Sequence, residues 1–245
     1  MKFKEKRRII DIHSHILPGI DDGSNSWETS VEMLKTAEAE GITDMIATPH
    51  YKPGHRNAPP HVVKELAARL QSKLRELDIN VRIHTGNEIM YFSEAAEKLD
   101  RGEILTMCDS DFVLVEFMPG DNFRHISGSL DELRYMGYIP ILAHVERYEC
   151  MISELKNVEE LARRDVKMQI NAASYTGALG HKVKKAVMKM VDNGYIDYIG
   201  TDSHDTKRRA PYMAKCMQML DRRYIREDVD VLTCINALDI IEYNQ

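Results

Sequence analysis

Short apolar runs alternate along the chain with longer stretches in which apolar residues recur every three or four positions. The first pattern reads as strands and the second as amphipathic helices. Residues 8–13 give a first strand. Asn25 or Ser26 caps a helix that carries Val31, Leu34 and Ala37 at helical spacing and ends at Gly41. A second strand covers 43–48 and is closed by Pro49-His50; a loop with Pro53, Gly54, Pro59 and Pro60 then leads into a helix over 61–77. Strand three covers 81–88, followed by a short polar helical segment over 93–99. Strand four, Phe112-Val113-Leu114-Val115-Glu116, is apolar without alternation, the pattern of a strand buried on both faces. The remainder reads as a helix over 126–136, strand five over 139–144, a helix over 153–164 and strand six over 167–171. A helix over 181–193, strand seven over 196–202 and helices over 210–222 and 231–241 follow.

Seven strands alternating with helices predict an α/β fold with a parallel sheet and right-handed crossovers. A closed or nearly closed barrel fits better than an open sheet, because no strand carries an edge signal. No internal repeat, low-complexity tract or Gly/Ser linker divides the 245 residues, so one domain over 1–245 is expected.

The strand ends are polar in a particular way. Strand one runs into Asp11-Ile12-His13-Ser14-His15; residues two apart on an extended chain share a face, so His13 and His15 can converge on one point. Taken alone they are either metal ligands or two surface histidines at a strand end. Strand two ends at His50, strand three at Glu88, strand four at Glu116, strand five at His144 and strand seven at Asp202 and His204. In barrels of alternating strands and helices these carboxyl ends form the active face, and packing gives no reason for a His, Asp or Glu at six of seven of them. The set His13, His15, His50, Glu88, Glu116, His144, Asp202 and His204 offers imidazole and carboxylate without thiolate. That donor set suits Mn, Fe or Zn in a catalytic site of two or three ions, where a hydroxide nucleophile is generated and a phosphoryl group clamped. Arg147 and Arg209 are placed either to hold phosphate oxygens or as ordinary surface residues.

Composition narrows the classes. A formal net charge of −6 excludes nonspecific nucleic-acid binding. The basic start, Met1 to Arg8, is followed by no apolar stretch of signal-peptide type, and no window has the length of a transmembrane helix, so a cytoplasmic protein without membrane insertion is expected. Cys108, Cys150, Cys216 and Cys234 form no CxxC pair and read as free thiols. Cys216 and Arg222 have the C-x5-R spacing of cysteine-dependent tyrosine phosphatases. The intervening residues lack glycine, however, and Met213, Cys216, Met217 and Leu220 lie on one helical stripe, so Cys216 reads as core. His55, His61, His84, His125 and His181 stand outside the motifs; His55 and His61 border the expected substrate opening.

The runs DIHSHILPGIDDGS, TPHY, GNE, LVEF, GYIPILAHVERY and TDSH with RAP after it resemble the polymerase-and-histidinol-phosphatase (PHP) metallophosphoesterases. Within them the chain most resembles the bacterial protein-tyrosine phosphatases encoded with capsule and exopolysaccharide genes, over nearly its whole length from Arg8. The resemblance implies a distorted barrel of seven strands and a centre of three divalent ions, commonly manganese. It implies hydrolysis of phosphotyrosine in the tail of a partner tyrosine kinase that controls polysaccharide export. By motif it assigns His13, His15, His50, Glu88, Glu116, His144, Asp202 and His204 to the metals, and Arg147 and Arg209 to the phosphate. Val145, Asp205 and Ala210 depart from the usual proline, asparagine and proline without removing a ligand. Asp11 is expected to orient the histidines from behind. The competing readings are a small-molecule phosphatase of the histidinol-phosphate type and a metal-binding module without turnover.

Overall fold

The computed structural model describes residues 7–243; the basic residues 1–6 lie outside the described residues. Among the described residues the strands are β1 (Ile10–Ser14), β2 (Asp44–Ala47), β3 (His50–Tyr51), β4 (Arg82–Thr85), β5 (Glu88–Met90), β6 (Phe112–Glu116), β7 (Ile139–Leu142), β8 (Lys167–Asn171) and β9 (Tyr198–Gly200). All pair in parallel, in the orders β1-β2-β4 and β3-β5-β6-β7-β8-β9, and the sheets curl into a half-barrel. Beyond β9 the chain runs beside the end of β1: Asp202 N donates to His13 O and His15 N to Ser203 O, both at 2.8 Å.

The helices are α1 (Trp27–Ala39), α2 (Pro60–Glu76), α3 (Ala95–Asp100), α4 (Phe123–Tyr135), α5 (Glu149–Ser153), α6 (Leu155–Arg163), α7 (Ala172–Thr176), α8 (His181–Asp192), α9 (Ala214–Asp221), α10 (Arg226–Asp230) and α11 (Asn236–Ile241). Ser26 is the cap of α1, its hydroxyl accepting from Thr29 N at 3.1 Å. Gly41 ends the turn after it with a φ of +91°, a left-handed conformation that suits glycine. The expected helix over 153–164 is α6, and the non-helical backbone at Glu154 (φ −134°) separates it from α5, a short helix that the periodicity does not mark.

Two of the expected strands are interrupted. The strand over 81–88 breaks at Gly86-Asn87, and strand two resumes as β3 after Thr48-Pro49. Pro49 has no N–H to continue a ladder. Its carbonyl instead accepts from Asn87 Nδ2 at 2.8 Å and Glu88 N at 3.2 Å, while Asn87 Oδ1 accepts from Leu105 N at 2.9 Å. The paired breaks move His50 and Glu88 together into the second sheet, where they stand in register.

Strand β6 shows how the sheet is buried. Val113 and Val115 belong to the large core cluster, and Phe112 and Leu114 to a second one. The second cluster also contains Ile46, Ile141 and Tyr198 and is closed by Ala237, Ile240 and Ile241 near the chain's end. No helix among the described residues is long and apolar enough to cross a membrane.

At the amino ends of the strands, opposite the ligand-type residues, one carboxylate is wholly buried. Asp44 accepts from Arg8 Nε at 3.0 Å, Arg82 Nε at 2.9 Å and Thr43 Oγ1 at 2.8 Å, and stands 3.3 Å from His84 Nε2. Burial opposes its charge, but His84, Arg8, Thr43 and Arg82 outweigh burial and hold the carboxyl below the usual range. A carboxyl depressed in the folded state stabilises above its unfolded pKa of about 4 and loses that contribution as pH falls. Asp44→Asn is therefore expected to lower stability by about 1.5–3 kcal/mol at neutral pH in urea unfolding. The gap from the unaltered protein is expected to close below about pH 4.

Candidate metal centre

The eight residues marked by their strand-end positions meet at the carboxyl ends of the strands. His13 and His15 come from β1 and the residue after it, His50 from β3, Glu88 from β5, Glu116 from β6, and His144, Asp202 and His204 from the turns after β7 and β9. Those two turns are strained. His144 has φ +32° and Asp202 φ +53°, left-handed conformations that cost energy for a residue with a Cβ and gather at functional sites. Close approach is needed elsewhere: a Cβ on Gly23 would lie 2.4 Å from His15 Cβ, so only glycine lets the loop after β1 close over that histidine.

Glu88 is the hub. Its Oε1 lies 2.9 Å from His144 Nε2 and 3.2 Å from His13 Nε2. Its Oε2 lies 3.0 Å from His50 Nδ1 and 3.2 Å from His15 Nε2. Glu116 Oε1 is 3.1 Å from His50 Nδ1, and Asp202 Oδ1 is 3.5 Å from both His13 Nε2 and His204 Nδ1. His15 and His204 rings lie 3.9 Å apart. Three groups bring ligand atoms within 4.8 Å of one another: His13, His15 and Glu88; His50, Glu88 and Glu116; and His15, Asp22, His50 and His204.

Asp22 stands in the loop after His15, away from any strand end, so no strand-end pattern marks it. Its Oδ1 lies 3.2 Å from His50 Nε2 and 3.5 Å from His204 Nε2. Asp21, equally unmarked in the sequence, accepts through Oδ2 from His15 Nδ1 at 2.7 Å and from His50 N at 3.2 Å. Asp11 does not orient the imidazoles. Its buried carboxylate accepts from the backbone N–H of His13 and Thr201 and from the Thr201 hydroxyl, tying β1 to the turn after β9. Burial pushes its pKa up to about 6, with Thr201 opposing.

The donor set fits divalent cations. Five buried atoms of the cluster make no hydrogen bond: His50 Nδ1, Glu88 Oε2, Glu116 Oε1, His144 Nδ1 and His204 Nε2. Buried polar atoms without partners call for a ligand or ion. With His15 Nδ1 donating to Asp21, its Nε2 lone pair faces His13 Nε2 at 3.3 Å, a contact that needs a cation or a proton between the two. The titration behaviour has the same cause. Burial opposes the charge on His15, but Asp21 and Glu88 outweigh it and push the pKa up to about 9. Glu116 and Glu88 outweigh burial likewise at His50, to about 10, and at His144, to about 9. Glu88 is held well below the usual range, where burial loses to His13, His144 and His15. His204 goes the other way, down to about 3, through burial and the neighbouring His15.

Arg147 and Arg209 frame the opening from two turns. Each donates to Asp202, at 2.6 Å to Oδ2 and 2.7 Å to Oδ1, while their side chains stay 33% and 39% exposed. The remaining histidines stand apart from the cluster: His84 serves Asp44, His125 packs edge-on against Tyr91 and Phe117, and His55, His61 and His181 are exposed. Cys216 is buried on α9 with its thiol pushed up to about 12 by desolvation, so it offers no thiolate.

A curled parallel α/β fold with a cluster of imidazoles and carboxylates at the strand ends defines a class of candidate metal-centre proteins. The capsular polysaccharide synthesis CpsB/CapC family model matches residues 9–242, and the chain belongs to that family. It is 31% identical over 226 residues to the tyrosine-protein phosphatase YwqE of Bacillus subtilis (strain 168), covering 92% of this chain and 89% of that one. It is 30% identical over 238 residues to the tyrosine-protein phosphatase CpsB of Streptococcus pneumoniae, covering 95% and 98%. A solved structure from a study of those two proteins, described as unique metal-dependent tyrosine phosphatases, aligns at a TM-score of 0.90 and 29% identity over 97% of this chain and 96% of that one. The histidinol phosphate phosphatase of Lactococcus lactis shares the fold alone, at a TM-score of 0.57 and 17% identity over 89% and 93%.

The raised histidines give a pH signature. A histidine whose folded pKa exceeds its unfolded value of about 6.5 stabilises fully below that value and loses the contribution as pH rises through the folded pKa. With chelator present, the melting temperature is expected to fall as pH rises from about 6.5 towards the folded values near 9 and 10 of His15, His144 and His50. Divalent cations displace those protons, so calorimetric titration at pH 7 in two buffers of different ionisation enthalpy is expected to show proton release on binding.

Proposed function

We propose that the protein is a metal-dependent protein-tyrosine phosphatase of capsule or exopolysaccharide synthesis, one PHP domain over 1–245. The observation that carries this reading is the Glu88 carboxylate shared among four imidazoles, with two arginines at its opening. The family and its phosphatase relatives support it. The fold we infer is a distorted barrel of seven strands. β2 with β3 and β4 with β5 each count as one broken strand, and the hydrogen bonds between the ends of β1 and β9 support closure.

His13, His15, His50, Glu88, Glu116, His144, Asp202 and His204, with Asp22, would hold three divalent ions. Manganese is the proposed metal, and the donor set also accepts Fe or Zn. Bound there, the ions supply a hydroxide nucleophile at neutral pH and polarise the phosphoryl oxygens. Arg147 and Arg209 take the charge that develops on those oxygens, in the fork geometry a guanidinium offers a phosphate. Phenolate, with a pKa of about 10, leaves without a strong acid beside it. No cysteinyl intermediate forms, since Cys216 is a buried thiol. The proposed substrate is the phosphotyrosine tail of a bacterial tyrosine kinase, met in the cytoplasm, where the four free thiols stay reduced.

With Mn, hydrolysis of p-nitrophenyl phosphate and of phosphotyrosine peptides is expected, and chelator abolishes it. His13→Ala is expected to cost more than the roughly 100-fold that loss of an orienting partner typically costs, whereas Cys216→Ser keeps near-unaltered activity. Activity that survives chelation and His13→Ala but vanishes in Cys216→Ser would sink the reading. A kcat/KM for histidinol phosphate far above that for phosphotyrosine peptides would move the substrate assignment to the small-molecule class.

A further inference from the structure

Strand β8 is the one strand of the second sheet from β5 onward that brings no candidate ligand, yet it lies between β7, which leads to His144, and β9, which leads to Asp202. It turns two neutral amides to the same face instead. Gln169 and Asn171 are two residues apart and buried, at 0% and 4% exposure. Such groups are costly to bury unless fully hydrogen-bonded. Here, apart from one bond to Ile170 O on β8 itself, their side-chain bonds join each other to the cluster or to the backbone that carries it.

The donors can be assigned without ambiguity. His144 N–H can only donate, and it reaches Gln169 Oε1 at 2.8 Å, which fixes that atom as the oxygen. The other end, Nε2, donates to Ile170 O at 2.6 Å, as a carbonyl requires. His13 Nδ1, 3.2 Å from the same Oε1, must then carry its proton, leaving the Nε2 lone pair towards Glu88. Gln169 Nε2 also donates to Asn171 Oδ1 at 2.8 Å, so the second amide is oriented by the first. Asn171 Nδ2 consequently donates to Asp202 Oδ2 at 3.0 Å. One directed chain runs His13, Gln169, Asn171, Asp202, and it joins two candidate ligands 3.5 Å apart. Gly200 leaves the room for it: a Cβ there would stand 3.0 Å from His13 Cβ and 3.1 Å from Gln169 Nε2.

We infer that Gln169 and Asn171 are positioning residues of the metal centre. Gln169 fixes the ring of His13 in the tautomer whose Nε2 can bind a cation and holds the left-handed turn of His144, and Asn171 aims the carboxylate of Asp202. The inference rests on the reading of the cluster as a metal site. A neutral amide does this without adding charge behind an already acidic cluster; a carboxylate in its place would leave Asn171 Oδ1 and Ile170 O without their donor.

The test uses the full chain, with Gln169→Leu, Gln169→Glu and Asn171→Leu, each checked for folding by thermal melting with chelator present. Mn affinity is read by chelator competition, and the ligand field by the visible absorption of the Co-loaded protein. Gln169→Leu is expected to weaken Mn binding by about 10–100-fold and to alter the Co spectrum. Gln169→Glu keeps the acceptor for His13 and His144 but loses the donor to Asn171 and Ile170, so it is expected to recover only part of the affinity. Asn171→Leu weakens binding less and changes the spectrum in the same direction. Should Gln169→Leu fail to fold, the other two variants decide. Affinity and Co spectra unaltered in every folded variant would overturn the inference while leaving the metal site standing, as would an Asn171→Leu that alone leaves both unaltered. An unaltered protein that binds no Mn or Co would remove the metal reading itself.

Discussion

The structure is built around one buried carboxylate. Glu88 is 1% exposed and its two oxygens face four imidazole nitrogens. A charge in that position is tolerated only where opposite charge meets it, as protons on the histidines or as metal ions. The requirement reaches outward. Glu88 must sit beside His50, so strands two and three break together at Pro49 and Gly86-Asn87; His144 must turn inward, so its backbone takes a left-handed conformation. The scaffold bears this strain because packed strands and helices hold the turns from both sides.

The two ends of the strands carry opposite solutions to the same problem. At the amino ends Asp44 is met by permanent cations, Arg8 and Arg82, and by His84, which makes a fixed structural tie. At the carboxyl ends the acids are met mostly by imidazoles, which give up their protons in the pH range where divalent metals compete for them. The two arginines there, Arg147 and Arg209, lie at the opening and keep a third or more of their side chains in solvent, free to meet an anionic group. Position and exposure separate a tie from a site here, not charge alone.

The groups that hold the cluster in place are both charged and neutral. Asp21 clamps His15, while His13 and Asp202 are held through the amides of Gln169 and Asn171. Tyr148, wholly buried, accepts from Phe117 N and donates to Ala143 O, joining the ends of β6 and β7 beneath Glu116 and His144. The candidate site thus extends a layer beyond its ligand-type residues.

The sequence by itself determined the alternation of strands and helices, the parallel pairing it entails, and the places of the eight ligand-type residues, since all of these are written in local periodicity and in what stands at each strand end. It also disposed of Cys216, whose helical stripe shows it as core. What the tertiary structure decided was contact across the chain. The paired strand breaks depend on Asn87 reaching Pro49, and no local pattern encodes that reach. Asp22 looks like an ordinary loop acid until the loop closes over His15 at Gly23. Asp11 has the same two-residue spacing as the histidines, yet its carboxylate is taken up by the backbone N–H groups of His13 and Thr201. Gln169 lies 156 positions from His13 and carries no charge to draw notice; only the parallel order of the strands brings the two within a hydrogen bond.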